Sequence, residues 1–119
     1  MYPLSVDAST NSKEVPADLA RVGEARHFIA WSGAVAGLGG GRLKDLAVAA
    51  EAAITDVVLS TREGVLKIQS VHDEEVVRIS IDHPEIEQRR LKDLERVLQR
   101  FLDDYKITPT RAMLEKRLR

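Results

Sequence analysis

The chain has 119 residues, enough for one domain around one core, with 18 basic and 19 acidic side chains and no cysteine. A charge this close to balance predicts no general attraction to nucleic acid or to an anionic membrane. The missing cysteine excludes disulfides, thiolate chemistry and cysteine-ligated metals.

The first stretch, MYPLSVDASTNSKEV, has neither a basic start nor an apolar run of signal length. No apolar run approaches the roughly 20 residues needed to cross a bilayer. The expectation is a soluble, cytoplasmic, single domain over 1–119. Leu4 and Val6 alternate with Ser5 and Asp7, which predicts a short strand over Leu4–Ala8. Ser9–Val15 is polar and reads as a loop. Pro16 suits a helix start, and Asp18 places negative charge in its first turn.

A first helix is predicted over Ala17–Ala36, with Leu19, Val22, Ala25, Phe28 and Ile29 as its buried stripe. Gly23 and Gly33 each weaken it by roughly 1 kcal/mol relative to alanine. Trp31 is offset from the stripe, which leaves core packing and an exposed contact anchor both open. Gly39-Gly40-Gly41 reads as a flexible connection, since no strand precedes it and no Lys-Ser/Thr pair follows it as a P-loop requires.

The second helix, Arg42–Thr61, is the strongest pattern in the chain. Leu43, Leu46, Ala47, Ala50, Ile54, Val57 and Val58 recur on one face. Glu51 and Thr55 stand four apart on a common stripe, while Asp56 points elsewhere. Then Val65–Val71 and Val77–Ile81 alternate on either side of the turn His72-Asp73-Glu74, which predicts an antiparallel hairpin. Asp82-His83-Pro84 ends it.

A third helix is predicted over Glu85–Tyr105, with Leu91, Leu94, Val97, Leu98, Phe101, Leu102 and Tyr105 inward. Thr108-Pro109-Thr110 breaks it, and a last strand spans Ala112–Leu118. The order β, α, α, β, β, α, β gives a two-layer α/β (α+β) sandwich, with about four strands and three helices on one face.

His27, His72 and His83 have no metal-ligand spacing and read as surface or turn residues. Arg89, Arg90, Lys92, Arg96 and Arg100, with Arg111, Lys116, Arg117 and Arg119, are interleaved with acids and lack aromatic companions. They read as a solvated, ion-paired face rather than a nucleic-acid surface, with protein binding as the next option.

The run LARVGEARHFIAW, the glycine link and LKDLAVAAEAAITDVV resemble the anti-sigma factor/serine-protein kinases of the histidine-kinase-like (GHKL) ATPase superfamily. Ala25-Arg26 and Phe28 match a first-helix element of that family. The resemblance implies a histidine-kinase-like ATPase fold over most of the chain, roughly Leu4–Leu118. It makes Glu51 the N-box glutamate that positions or activates water. It sets Thr55 where the family has a Mg²⁺-binding asparagine, and Asp82 where an aspartate accepts the adenine amino group. The residues alone leave another reading: a helix-edge glutamate and a strand-end aspartate capping the next helix. The glycines of the family's Asp-x-Gly-x-Gly are absent, because His83, Pro84, Glu85 and Ile86 follow Asp82. Its later glycine box is absent too, where this chain reads EIEQRRLKDL, and with it go the backbone phosphate donors.

The resemblance therefore implies a degenerate, non-catalytic member similar to bacterial anti-sigma factors. Its expected partners are a sigma factor or an anti-sigma-factor antagonist, with homodimerisation as a further expectation, and no cofactor is expected. The alternative is an active ATP- and Mg²⁺-dependent serine-protein kinase with a divergent pocket built on Glu51, Thr55 and Asp82.

Overall fold

The hairpin alternation is the frame of the sheet. In β2 (Val65–His72), Leu66, Ile68 and Ser70 are buried while Val65, Lys67 and Gln69 are exposed. In β3 (Val76–Asp82), Ile79 and Ile81 are buried between the less buried Arg78, Ser80 and Asp82. Successive side chains point to opposite faces, so one face is apolar and the other polar. The computed structural model describes residues 3–4, 8–61, 63–87 and 91–119.

The sheet has five strands in the order β1-β2-β3-β5-β4, every neighbour antiparallel. Its remaining strands are β1 (Ser9–Pro16), β4 (Asp104–Ile107) and β5 (Arg111–Arg117). Ser9–Val15 is therefore a strand, not the expected loop. Its inward positions are Asn11, Lys13 and Val15, so only Val15 carries an apolar signal. Lys13 is held instead by Glu24 on the first helix, 3.4 Å away. The strand expected at Leu4–Ala8 falls largely on Ser5, Val6 and Asp7, outside the described residues, while Leu4 and Ala8 lie in no strand.

The chain leaves β1 through a 3-10 turn, Leu19–Arg21, before α1 (Val22–Ala36). Pro16 ends the strand rather than starting a helix. Asp18 caps the turn by accepting from the Ala20 amide at 3.0 Å. Leu19, expected inside, is 58% exposed because it belongs to this turn and not to α1.

The α1 C-terminus is an ordered stop. The Gly37 amide donates to Ala34 and the Leu38 amide to Gly33, with Gly37 left-handed at φ 110°. This pair of bonds satisfies terminal carbonyls and tucks Leu38 into the core. The expected flexible link at Gly39-Gly40-Gly41 is thus shorter, because Gly40 and Gly41 open α2 (Gly40–Thr61).

α1 packs on β1, β2, β3 and α2; α2 also contacts α3 (Leu91–Phe101) and β5, and α3 lies against β4. All three described helices cover the apolar face, forming a two-layer α+β sandwich. α2 buries Leu46, Ala47, Ala50, Ile54, Val57 and Val58 as its pattern predicts, with Ala49 and Ala53 beside them. Gly33 sits where α1 and α2 cross: a Cβ there would meet Leu46 and Leu43 methyls at 3.0 and 3.1 Å. The glycine costs helix propensity and permits the close approach.

The third helix is shorter than its apolar period. Leu94, Leu98 and Leu102 are buried, but Phe101 is the last helical residue and Tyr105 belongs to β4. At Asp103 the backbone amide turns to the Glu115 carbonyl, 3.1 Å away, so sheet pairing captures the chain. Lys116 secures this exit. Its ammonium donates to the Phe101 carbonyl at 2.8 Å and lies 3.7 Å from Asp45 of α2. A cation on a helix C-terminal carbonyl is favourable.

Gly64 precedes β2 at φ 92°, and a Cβ there would lie 2.6 Å from Pro84 Cγ. Gly64→Ala is expected to lower stability by about 2 kcal/mol or more, from left-handed strain plus overpacking. Gly23→Ala, with nothing within 4 Å, is expected to raise it by up to about 1 kcal/mol. Urea unfolding midpoints check both. Pro84→Ala should recover part of the Gly64→Ala loss.

Candidate functional site

Glu51 lies on the outward side of α2. Its carboxylate is 3.5 Å from Arg26 Nε of α1, and both side chains are about half exposed. The matched residues Arg26 and Glu51 therefore form a clasp between helices. Thr55, one turn on, is half-buried on the same helix. Ala25 is fully buried, and Phe28 packs on the core's edge.

Asp82 lies elsewhere. It alternates with buried Ile81 and stands directly opposite Lys67 on β2 and Arg111 on β5. Its side chain is therefore on the open face of the sheet, away from the helices. There it accepts from Arg111, through Nε on one oxygen and through Nη2 on the other at 3.2 Å. This bond raises the Arg111 pKa above its ordinary value.

The register extends the pair into a row. Glu14, Lys67, Asp82 and Arg111 follow one another across β1, β2, β3 and β5. Opposite charges directly across strands stabilise a sheet, and like charges there do the reverse. Further along the same face, Thr10, Val71, Arg78, Glu115 and Asp104 form another row. Within it Arg78 grips Glu115 at 2.6 Å, with side chains only 16% and 4% exposed. Asp82 thus has a structural place in a charge ladder and does not cap a helix.

Glu51, Thr55 and Asp82 are not brought to a common cavity. Two concavities that Asp82 lines contain Ser12, Lys13, Glu14, Lys67 and Gln69, and Lys106, Thr108, Thr110 and Arg111. Neither includes an α2 residue. An adenine acceptor on one face of the sheet and metal-directed oxygens on the helical layer opposite do not together fit ATP–Mg²⁺. Among the described residues, no group of three His, Asp or Glu could hold a metal ion.

Of the histidines, His27 is exposed as expected and His83 is not. His83 is buried rather than on the surface: its amide donates to Thr110, and Nδ1 is 2.7 Å from the Pro84 carbonyl. The expected solvated, ion-paired basic face is met at Arg111 and departed from at Lys116. Lys116 is buried, Arg111 holds Asp82, and the Arg117 amide is bound by Asp103 at 2.7 Å. Arg89 and Arg90 lie outside the described residues.

The structure does present a stripe on α1. Glu24, Phe28, Trp31 and Val35 recur at 4, 3 and 4, so they share one side of the helix. Trp31 is 48% and Val35 51% exposed, and the Phe28 and Trp31 rings lie 6.2 Å apart. The 4-3-4 spacing is present in the sequence, but it runs beside the Ala25–Ile29 stripe, and periodicity alone does not say which of the two is covered. At its start Glu24 is held by Arg21 at 2.7 Å as well as by Lys13. The Arg21 hydrogen bond holds the Glu24 carboxyl below its ordinary pKa.

No helix is long and apolar enough to cross a membrane, among the described residues. Two outcomes follow from the ionic geometry. Asp82→Ala, breaking an exposed pair, is expected to cost no more than about 1 kcal/mol, whereas Glu115→Ala removes the buried partner of the Arg78 pair and should cost more, about 2 kcal/mol; denaturant titration separates them. The Glu24 contribution is present above its unfolded pKa near 4.5 and is lost as pH falls through the lowered folded value. Glu24→Gln should flatten that part of the acid limb in a stability–pH series. Protein-family models provide no match to the chain, and neither do curated proteins.

Proposed function

We propose that this chain is a cytoplasmic regulatory domain of the histidine-kinase-like ATPase type, similar to bacterial anti-sigma factors, which acts by binding protein rather than by transferring phosphate. The observation that carries this reading is the position of Asp82. It serves the open-face charge row, while Glu51 clasps Arg26 across the helical layer. A phosphoryl-transfer site depends on positioning and electrostatics at one point, and these residues do not share one. Loss of both glycines after Asp82 and of the later glycine box agrees with that reading.

The binding surface in this proposal is the Phe28–Trp31–Val35 stripe. Tryptophan is enriched among contact anchors, since a large rigid ring contributes buried area with little entropy loss. The partner is a sigma factor or an anti-sigma-factor antagonist. Contact through α1 requires no nucleotide, so regulation would come from competition between partners for the same helix.

The test is sedimentation of the purified protein with each sigma factor and antagonist of its own organism, with and without ATP. One complex is expected, equally strong in both conditions. Trp31→Ala should weaken it by about 2 kcal/mol, roughly 30-fold, without changing the unfolding midpoint. Phosphate transfer to an antagonist serine, abolished by Glu51→Ala, would replace this reading with the kinase one.

A further inference from the structure

We infer that a second binding site lies at the opposite end of the helical layer from the α1 C-terminus, and that it takes a basic amphipathic helix. The site is a groove of about 460 Å³ lined by Pro16, Ala17, Asp18, Leu19, Val58, Leu59, Glu63 and Gly64. This volume is in the range of ligand-binding clefts. The groove runs between the 3-10 turn and the C-terminal end of α2.

Its apolar part is unusual for a surface. Leu19 is 58% and Leu59 51% exposed, and they come from different elements yet line one concavity. Pro16, Ala17 and Val58 continue the apolar lining between them. The groove is preformed: the Ala17 amide donates to the Gly64 carbonyl at 2.9 Å, which ties its two sides together. Gly64 is itself fixed by its left-handed backbone and by Pro84. Preformed apolar clefts bind without first having to order themselves.

Charge selects the occupant. Among the described residues, the polar side chains in the lining are Asp18 and Glu63, both exposed and both acidic. Arg21, a cation on the same turn as Leu19, is committed to Glu24. Leucine walls with a carboxylate rim complement a helix that places aliphatic side chains at i, i+3, i+4 and i+7 and lysine or arginine beside them. An acidic helix would meet the same walls and be repelled at the rim. The groove shares no residue with the α1 stripe, so its occupant is independent of the partner proposed there.

The test uses two fluorescein-labelled synthetic helices with leucine at those four positions, one with lysine elsewhere and one with glutamate elsewhere. Fluorescence anisotropy against the intact protein is expected to show the lysine helix binding at least about tenfold tighter. Leu19→Ala and Leu59→Ala should each weaken it by about tenfold, with little change in the unfolding midpoint because both positions are exposed. Glu63→Gln should weaken it less and flatten its salt dependence. Trp31→Ala should leave it unchanged. Equal binding of both helices, or no binding, would overturn the inference. So would loss of binding in Trp31→Ala with the leucine variants intact. A self-associated protein that Leu59→Ala turns monomeric would also overturn it, because the groove would then be covered by a second copy.

Discussion

The two-residue period of β3 is the constraint on which the rest of the structure depends. Ile79 and Ile81 must face the helices to complete the core with Leu114 and Ile68. Arg78, Ser80 and Asp82 must then face the other way. A shift of register by one would expose the isoleucines and bury the charges, so the pairing is strongly specified. The antiparallel register carries this division across the sheet. Beneath the helices the row Ile68, Ile81, Ala112 and Ile107 is apolar, with Lys13 at its β1 edge; on the open face the row Glu14, Lys67, Asp82 and Arg111 alternates in sign.

This division explains how a polar face and a tightly filled layer coexist in so short a chain. On the open face, opposite charges meet across the strands at Lys67–Asp82–Arg111 and at Arg78–Glu115. The helical layer closes with small contacts: Gly33 and the alanines of α2 bring backbones near one another, and Lys116 binds the α3 terminus to the sheet. The layer leaves apolar side chains in solvent in two places, Trp31 and Val35 on α1 and Leu19 with Leu59 at its other end.

Much of the architecture was legible in the sequence, and the misses have physical causes. α2 was readable because its apolar period continues through alanines that also favour helix, and the hairpin because Leu66, Ile68, Ile79 and Ile81 alternate without interruption. β1 was hidden, since Asn11 and Lys13 occupy inward positions at a sheet edge and Lys13 is balanced by Glu24, distant in sequence. The third helix was read too long because Phe101, Leu102 and Tyr105 keep the helical period across the point where β5 captures the backbone. The glycine run looked flexible because a sequence does not show that Gly37 and Leu38 close α1 with paired hydrogen bonds. Asp82 is the most instructive case. The same alternation that revealed β3 already set it opposite Ile81, and only a resemblance placed it beside Glu51.

The central claim is that Asp82 belongs to the sheet's charge row and forms no nucleotide site with Glu51 and Thr55. Calorimetric titration of the purified protein with ATP and ADP, with and without Mg²⁺, tests it most directly. The account predicts no binding heat at millimolar nucleotide, for the unaltered chain and for Asp82→Asn alike. Micromolar binding that Asp82→Asn or Glu51→Ala abolishes would contradict it.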